Sequence, residues 1–125
     1  MANIRSKDTK PELLLRKAMH ARGFRFRLHD KRLPGSPDLV FPRYKAVVFV
    51  HGCFWHRHKG CRFATTPATR PDFWADKFQT NVERDKRHET ALQAAGWRVA
   101  TVWECEIRSS VEASADELAG WLSGS

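Results

Sequence analysis

The chain has 125 residues, 42% of them hydrophobic and 11% aromatic, which is typical of one folded domain and excludes a disordered segment. It lacks both an apolar run near the roughly 20 residues of a membrane-spanning helix and a secretory signal, which predicts a cytoplasmic protein with no membrane partner. Lys and Arg number 22 against 14 Asp and Glu, and the formal charge of +8 favours a nucleic acid partner over ordinary solubility charge.

The first predicted element is a helix. Thr9-Lys10-Pro11-Glu12 has the pattern of a capping box, with proline in the first turn. Apolar side chains then recur at helical spacing until Gly23 ends the helix. The predicted buried face consists of Leu13, Leu14, Leu15, Ala18 and Met19.

Three strands are predicted next. Residues 24–28 alternate apolar and polar side chains, as in a half-buried strand, and residues 33–37 have turn chemistry. Residues 38–41 form a short buried strand, Pro42-Arg43-Tyr44 breaks it, and residues 45–50 form a more apolar one.

The second half predicts a helix starting at Pro71 and a long polar helix over roughly 81–95, stopped by Gly96. Residues 97–103 form the last strand, and a short helix capped by Ser114 closes the chain, with a buried side made of Leu118, Trp121 and Leu122. The order α-β-β-β-α-β-α predicts an α/β domain with a mixed sheet of about four strands flanked by helices.

A stretch rich in cysteine and histidine separates the two halves. An odd number of cysteines cannot all pair within one chain, so a reducing compartment with thiolate ligands is favoured over disulfides. Three thiolates and one imidazole suit a closed tetrahedral zinc site that would staple the loop to the last strand. The alternative is three buried cysteines beside solvated histidines. The candidate ligands are Cys53, His58, Cys61 and Cys105.

A second group of residues suggests nuclease chemistry. Asp38 begins a strand, where an aspartate can bind Mg²⁺, although Pro-Asp pairs are usually simple turns. His51 ends the adjacent strand and should emerge at the same sheet edge, and His56 follows within one loop. Imidazole transfers protons near neutral pH, so these residues together predict a catalytic centre.

Seven segments of the chain resemble one known family, the very short patch repair (Vsr) DNA mismatch endonucleases. The resemblance covers nearly the whole chain. It implies a core like that of restriction endonucleases and nicking of DNA beside a T:G mismatch left by deamination of 5-methylcytosine. The segments are residues 7–12, Leu33-Pro-Gly-Ser-Pro-Asp38, His51-Gly-Cys-Phe-Trp-His56, 67–70, Asn81-Val-Glu-Arg-Asp85, 96–99 and Val102-Trp-Glu-Cys105.

The resemblance also implies roles for site residues. Asp38 would be the direct Mg²⁺ ligand, together with the backbone carbonyl of Val50. His56 would activate the attacking water, which its ordinary pKa suits. His51 and Glu12 would support the metal-bound waters or the phosphate.

Further roles follow from the same resemblance. Asp85 would orient a histidine. The four candidate zinc ligands match the family's structural zinc site. Phe54, Trp55 and Trp74 match aromatics that wedge into the base stack beside the mismatch, where opening is cheaper than at a matched pair. Without the resemblance, burial in the core is the simpler interpretation of these three rings.

One departure concerns the N-terminus. Relatives carry a longer basic stretch before the first helix, whereas here only residues 1–6 precede Lys7. Residues 1–125 are therefore expected to form a single endonuclease domain with a short or absent N-terminal arm, which would weaken DNA binding or mismatch selectivity.

Three functions remain open at this point. The first is a Mg²⁺-dependent mismatch endonuclease acting on double-stranded DNA, possible as a monomer because one nick needs one active centre, with repair proteins acting downstream. The second is a related nickase or nuclease with another substrate preference, for example in phage defence or beside a restriction–modification system. The third is a zinc-stabilised DNA-binding module without catalysis.

Overall fold

The computed structural model describes residues 10–53 and 68–124, and the account below is confined to them. A 3-10 turn at Pro42–Tyr44 joins the second and third strands. The elements are α1 (Lys10–Ala21), β1 (Arg27–Leu28), β2 (Leu39–Phe41), β3 (Ala46–His51), α2 (Pro71–Ala94), β4 (Arg98–Trp103), α3 (Glu104–Ser109) and α4 (Val111–Gly124).

The four strands form one mixed sheet in the order β1-β2-β3-β4, which confirms the predicted architecture. The first two pairings are antiparallel, with Leu28 opposite Leu39 and Leu39 opposite Val48. Strand β4 pairs with β3 in parallel, from Ala46↔Arg98 to His51↔Trp103. A parallel neighbour requires a crossover, and α2 lies in that connection.

Helices cover both faces of the sheet. On one face α1, α3 and α4 pack against β2, β3 and β4, and the core there includes Leu15, Phe41, Val48, Ile107 and Leu118. On the other face Leu92 of α2 packs against Val40 and Val47. Because both faces are covered, β2 is buried at every position, which explains its unbroken apolar sequence.

The C-terminal helix is attached to the sheet through Arg98. Its guanidinium donates hydrogen bonds to the carbonyls of Trp121 and Leu122, at 2.9 and 3.0 Å. It also lies over the Trp121 ring, 4.6 Å from the ring centroid. A cation at the last turn of a helix compensates carbonyls that have no partner within the helix.

Two details of the first half differ from the prediction. Only Arg27 and Leu28 pair as β1, while Phe24 and Phe26 contribute through ring contacts with Phe41 at 6.2 and 5.4 Å. The predicted face of α1 was also too wide. Leu13 and Leu14 are exposed, at 45% and 37%, whereas Leu15, Ala18 and Met19 are buried.

Three details of the second half differ as well. The helix that begins at Pro71 and the long polar helix are one continuous helix of 24 residues. Residues 104–109 form an unpredicted helix. Ser114 is wrong as the cap of the last helix, because it is buried within α4; instead the Ser110 hydroxyl accepts from the Ala113 N–H at 3.1 Å. Among the described helices, none is long and apolar enough to cross a membrane.

Candidate active site

A cavity of about 340 Å³ opens between one edge of the sheet and α2. The start of β2 and the end of β3 meet at this edge because the two strands are antiparallel. One turn of α2 forms the opposite wall. The polar lining includes His29, Asp38, His51, Arg84, Asp85 and His88.

Asp38 is held rigidly at the base of the cavity, with 8% of its surface exposed. The backbone N–H of Val50 donates to its Oδ2 at 2.7 Å, a short hydrogen bond that orients the carboxylate. Its other oxygen, Oδ1, faces the imidazole of His29, with Nδ1 at 3.5 Å. The aspartate is therefore an oriented anion beside a cavity.

Glu12 approaches the same point from α1, although it is far from Asp38 in the sequence. It is 2% exposed, so its charge must be compensated inside the protein. Arg16, one turn along the helix, forms an ion pair with Oε2. The Nε2 of His29 lies 2.9 Å from the same oxygen.

Glu12, His29 and Asp38 thus form one cluster. Each offers one metal-ligating atom, and these atoms all lie within 4.8 Å of one another. Carboxylate oxygens are the ligands that Mg²⁺ and Mn²⁺ prefer, and imidazole is a common ligand of transition metals. The donor set therefore fits a divalent cation.

His51 and Asp85 line the same cavity as His29 and Asp38. The centroid of the His51 ring lies 5.7 Å from that of Phe49 and 5.3 Å from that of Trp103, so aromatic contacts help to orient the imidazole. Asp85 lies in the middle of α2 and faces the cavity. The fold brings both predicted residues together with Asp38 and Glu12. His56 lies outside the described residues.

Sequence reasoning missed two histidines of the cavity. His29 follows β1, and the pairing of Leu28 with Leu39 places it opposite Asp38. There the backbone N–H of His29 donates to the backbone carbonyl of Asp38 at 3.2 Å. Extending the predicted hairpin by one residue would have found it. His88 follows Asp85 by one helical turn, which is a weaker signal.

The loop that follows His29 is tied by an ion pair. Arg32 donates to both carboxylate oxygens of Asp30, each at 3.0 Å, and its backbone N–H donates to Oδ1 at 3.0 Å. These hydrogen bonds hold the pKa of Asp30 below its ordinary value. These hydrogen bonds therefore fix the backbone of residues 30–32, directly after His29.

The predicted zinc ligands are described in part. Cys53 is buried, with 1% exposure, and Cys105 is half-buried. Because His51 pairs with Trp103 in the parallel ladder, each cysteine follows its paired strand end by two residues. His58 and Cys61 lie outside the described residues.

The predicted wedge is also described in part. Trp74 lies in the first turns of α2, half-buried, and stacks on Phe78 with ring centroids 5.7 Å apart. Its neighbour Phe73 is 40% exposed and lies under the Arg70 guanidinium. Phe54 and Trp55 lie outside the described residues.

Comparison with known proteins agrees with this arrangement. The family model described as "DNA mismatch endonuclease Vsr" matches residues 1–62. The chain is 55% identical to the type II nicking enzyme V.XorIIP of Xanthomonas oryzae pv. oryzae, over 86% of the chain and 78% of the relative. It is 49% identical to the type II nicking enzyme V.NmeAIP of Neisseria meningitidis, over 87% and 77% of the two.

A third relative is the DNA mismatch endonuclease Vsr of Escherichia coli K12. Identity is 44%, over 99% of the chain and 81% of the relative. A match over 99% of the chain includes the sheet and α2, which supply the walls of the cavity, and α1, which carries Glu12. The resemblance noted in the sequence is thereby confirmed, and the chain belongs to the Vsr family of DNA endonucleases.

Proposed function

We propose that this protein nicks one strand of double-stranded DNA at a T:G mismatch, hydrolysing a phosphodiester in a Mg²⁺-dependent reaction. The observation that carries the proposal is the convergence of Asp38, His51 and Asp85 on one cavity beside a sheet edge, with Glu12 in the same carboxylate cluster as Asp38. A DNA-binding module without catalysis would have no use for a buried, oriented carboxylate pair at that point.

Asp38 and the backbone carbonyl of Val50 would hold the Mg²⁺. The Val50 N–H fixes the aspartate Oδ2, so the carboxylate enters the cavity already oriented. Bound Mg²⁺ supplies positive charge that stabilises the developing charge on the phosphate. Glu12 would accept hydrogen bonds from the waters around the site, and His51 would donate to those waters or to phosphate oxygens.

Water activation is assigned to His56. A histidine with an ordinary pKa accepts a proton from water near neutral pH and can release it to solvent afterwards. Asp85 lines the cavity from α2 and would orient that imidazole.

Recognition of the mismatch is assigned to aromatic wedges. Insertion of apolar rings costs a few kcal/mol of unstacking per step, and a mismatched pair costs less to open than a matched one. Trp74 and the exposed Phe73 lie together at the start of α2. Phe54 and Trp55 would act with Trp74, and the +8 charge supplies the affinity for the phosphate backbone.

We also propose a structural Zn²⁺ bound by Cys53, His58, Cys61 and Cys105. The register of β3 and β4 supports this, since it places Cys53 and Cys105 at equivalent positions beyond neighbouring strand ends. Thiolate and imidazole are the ligands that zinc prefers. The bound metal would link the loop after β3 to α3.

The test of substrate compares T:G, matched T:A and single-stranded oligonucleotides at fixed salt with Mg²⁺. One nick confined to the T:G duplex supports the proposal. Equal cleavage of the matched duplex would favour the alternative of a relaxed nickase, and several of the relatives are named as nicking enzymes. No cleavage with any divalent metal would leave only the DNA-binding module.

The test of mechanism uses matched pairs of variants. D38A and H56A should lose nicking by at least about 100-fold while retaining duplex binding, since a lost general base alone costs about 10²–10⁴-fold. D116A and H20A make the same substitutions at exposed positions away from the cavity and should nick like the wild type. Wild-type activity without any divalent cation would refute the mechanism.

A further inference from the structure

His29 has no role in the mechanism above, yet it lies between the two buried carboxylates. Its Nε2 is 2.9 Å from Glu12 Oε2, and its Nδ1 is 3.5 Å from Asp38 Oδ1. Its backbone has φ of +48°, in the left-handed region that costs a side-chain-bearing residue about 1–2 kcal/mol. Strain of this kind concentrates at functional sites.

The two ring nitrogens have different surroundings. At 2.9 Å from an anionic oxygen, Nε2 is best satisfied as an N–H that donates to Glu12. Arg16 Nη2 contacts Glu12 and also lies 2.9 Å from this nitrogen; since a guanidinium only donates, it must turn to Glu12 alone when Nε2 carries the proton. A neutral imidazole with its proton on Nε2 presents a lone pair at Nδ1.

That lone pair faces an oxygen of the opposite carboxylate. The Nδ1–Oδ1 separation of 3.5 Å exceeds the usual 2.7–3.2 Å of an N–H···O hydrogen bond. Two ligands about 2.1 Å from one cation, at 90–110° to each other, lie roughly 3.0–3.4 Å apart. The observed separation exceeds that range by about 0.1 Å, less than it exceeds the range of a hydrogen bond, so the two groups would need to approach only slightly to share a cation.

We propose that His29 Nδ1 and Asp38 Oδ1 bind the same divalent cation. Glu12 then acts on the far side of the ring, where it accepts from Nε2–H and fixes the tautomer, an arrangement common among metal-binding histidines. The inference rests on the proposed function, since it adds a protein ligand to the cation of that site. It also changes the role of Glu12 from supporting metal-bound water to orienting His29.

A nitrogen ligand makes a prediction about metal choice. Carboxylate and carbonyl oxygens suit Mg²⁺, whereas imidazole raises affinity for transition metals along the series from Mn²⁺ to Cu²⁺. The site should therefore bind Mn²⁺ more tightly than Mg²⁺. Loss of His29 should weaken Mn²⁺ binding more than Mg²⁺ binding.

The experiment measures Mn²⁺ bound to the zinc-loaded protein without DNA, by titration and by pulsed EPR. Mn²⁺ suits the oxygen-rich cluster far better than a thiolate site. The wild type should show electron-spin-echo modulation from a directly bound imidazole ¹⁴N, and the modulation should change to that of ¹⁵N when histidine is ¹⁵N-labelled. This measurement needs no substitution.

Variants then assign the nitrogen. H29Q should lose the modulation and bind Mn²⁺ at least about tenfold more weakly, as removal of metal-site partners typically does. H88Q removes another imidazole of the same cavity and should keep it. Because the backbone at position 29 is left-handed, H29N serves as a second variant that tolerates this conformation.

The outcomes separate this inference from the proposed function. Persistence of ¹⁴N modulation in H29Q, or its absence from a wild type that binds Mn²⁺, overturns the role of His29. In either case Mg²⁺-dependent nicking would leave the endonuclease proposal standing. A wild type that binds no Mn²⁺ at millimolar concentration also overturns the role of His29, whereas the endonuclease proposal fails only when no divalent cation supports nicking.

Discussion

The turn after β1 approaches α2 closely at Gly35. A Cβ built at this glycine would lie 2.8 Å from Nδ1 of His88, 2.9 Å from its Cγ and 3.0 Å from its Cβ. The ring could rotate away, but the His88 Cβ is fixed to the helix backbone. Gly35 also has φ of +77°, which an L-residue adopts with strain. The substitution G35A therefore combines two independent costs.

The magnitudes can be separated with a matched control. Left-handed backbone costs about 1–2 kcal/mol for alanine, and overpacking of a tight contact typically adds about 1–3 kcal/mol. Gly23 has φ of +91° with nothing within 4 Å of a built Cβ, so G23A carries the first cost alone. We expect G35A to lower the free energy of unfolding by about 1–3 kcal/mol more than G23A.

The assay is urea unfolding of both variants, read by tryptophan fluorescence, with thermal melts as a check. For a domain of this size each kcal/mol corresponds to roughly 4 °C in Tm. H88A removes two of the three contacts. The substitution G35A should therefore lower the free energy of unfolding less in the H88A background than in the wild type. Equal destabilisation by G35A and G23A would refute the packing argument.

Three further predictions concern other parts of the molecule. R98A should lower the free energy of unfolding by about 1–3 kcal/mol in urea melts, because two hydrogen bonds to the last turn of α4 are lost; an unchanged midpoint would contradict this. The lowered pKa of Asp30 means that its ion pair with Arg32 stabilises the fold above the ordinary carboxyl pKa of about 3.9 and loses this contribution as pH falls through the lowered value. An NMR titration of R32A should accordingly show the Asp30 pKa moving upward, and no movement would exclude Arg32 as the cause. C105S, purified without added metal, should contain less than half the zinc of the wild type if this cysteine is a ligand.

Local patterns predicted most elements because their causes are local. The apolar run at residues 45–50 and the break at Pro42 predicted β3 and the turn before it to within a residue. The N-cap of the last helix was predicted wrongly because local patterns do not distinguish the two candidate serines. Ser110 and Ser114 both precede acidic residues, and only the burial of Ser114 against the core distinguishes them.

Asp38 and His51 could be related from the sequence, since both lie at strand ends of a predicted hairpin. Glu12 could be placed only by resemblance. Its carboxylate reaches the site because α1 packs across the sheet; helical periodicity predicts which face of α1 is buried but not where that face docks. Arg16, its ion-pair partner, was missed for that reason.

The sequence alone determined the element types, the basic charge and the kinds of chemistry available, because these depend on side-chain identity and short-range spacing. Tertiary structure decided which of the groups meet. Strand register placed His29 opposite Asp38, and the packing of α1 and α2 on opposite faces brought Glu12 and Asp85 to the same edge. Register and packing depend on contacts between residues distant in the chain, so local sequence patterns do not predict them.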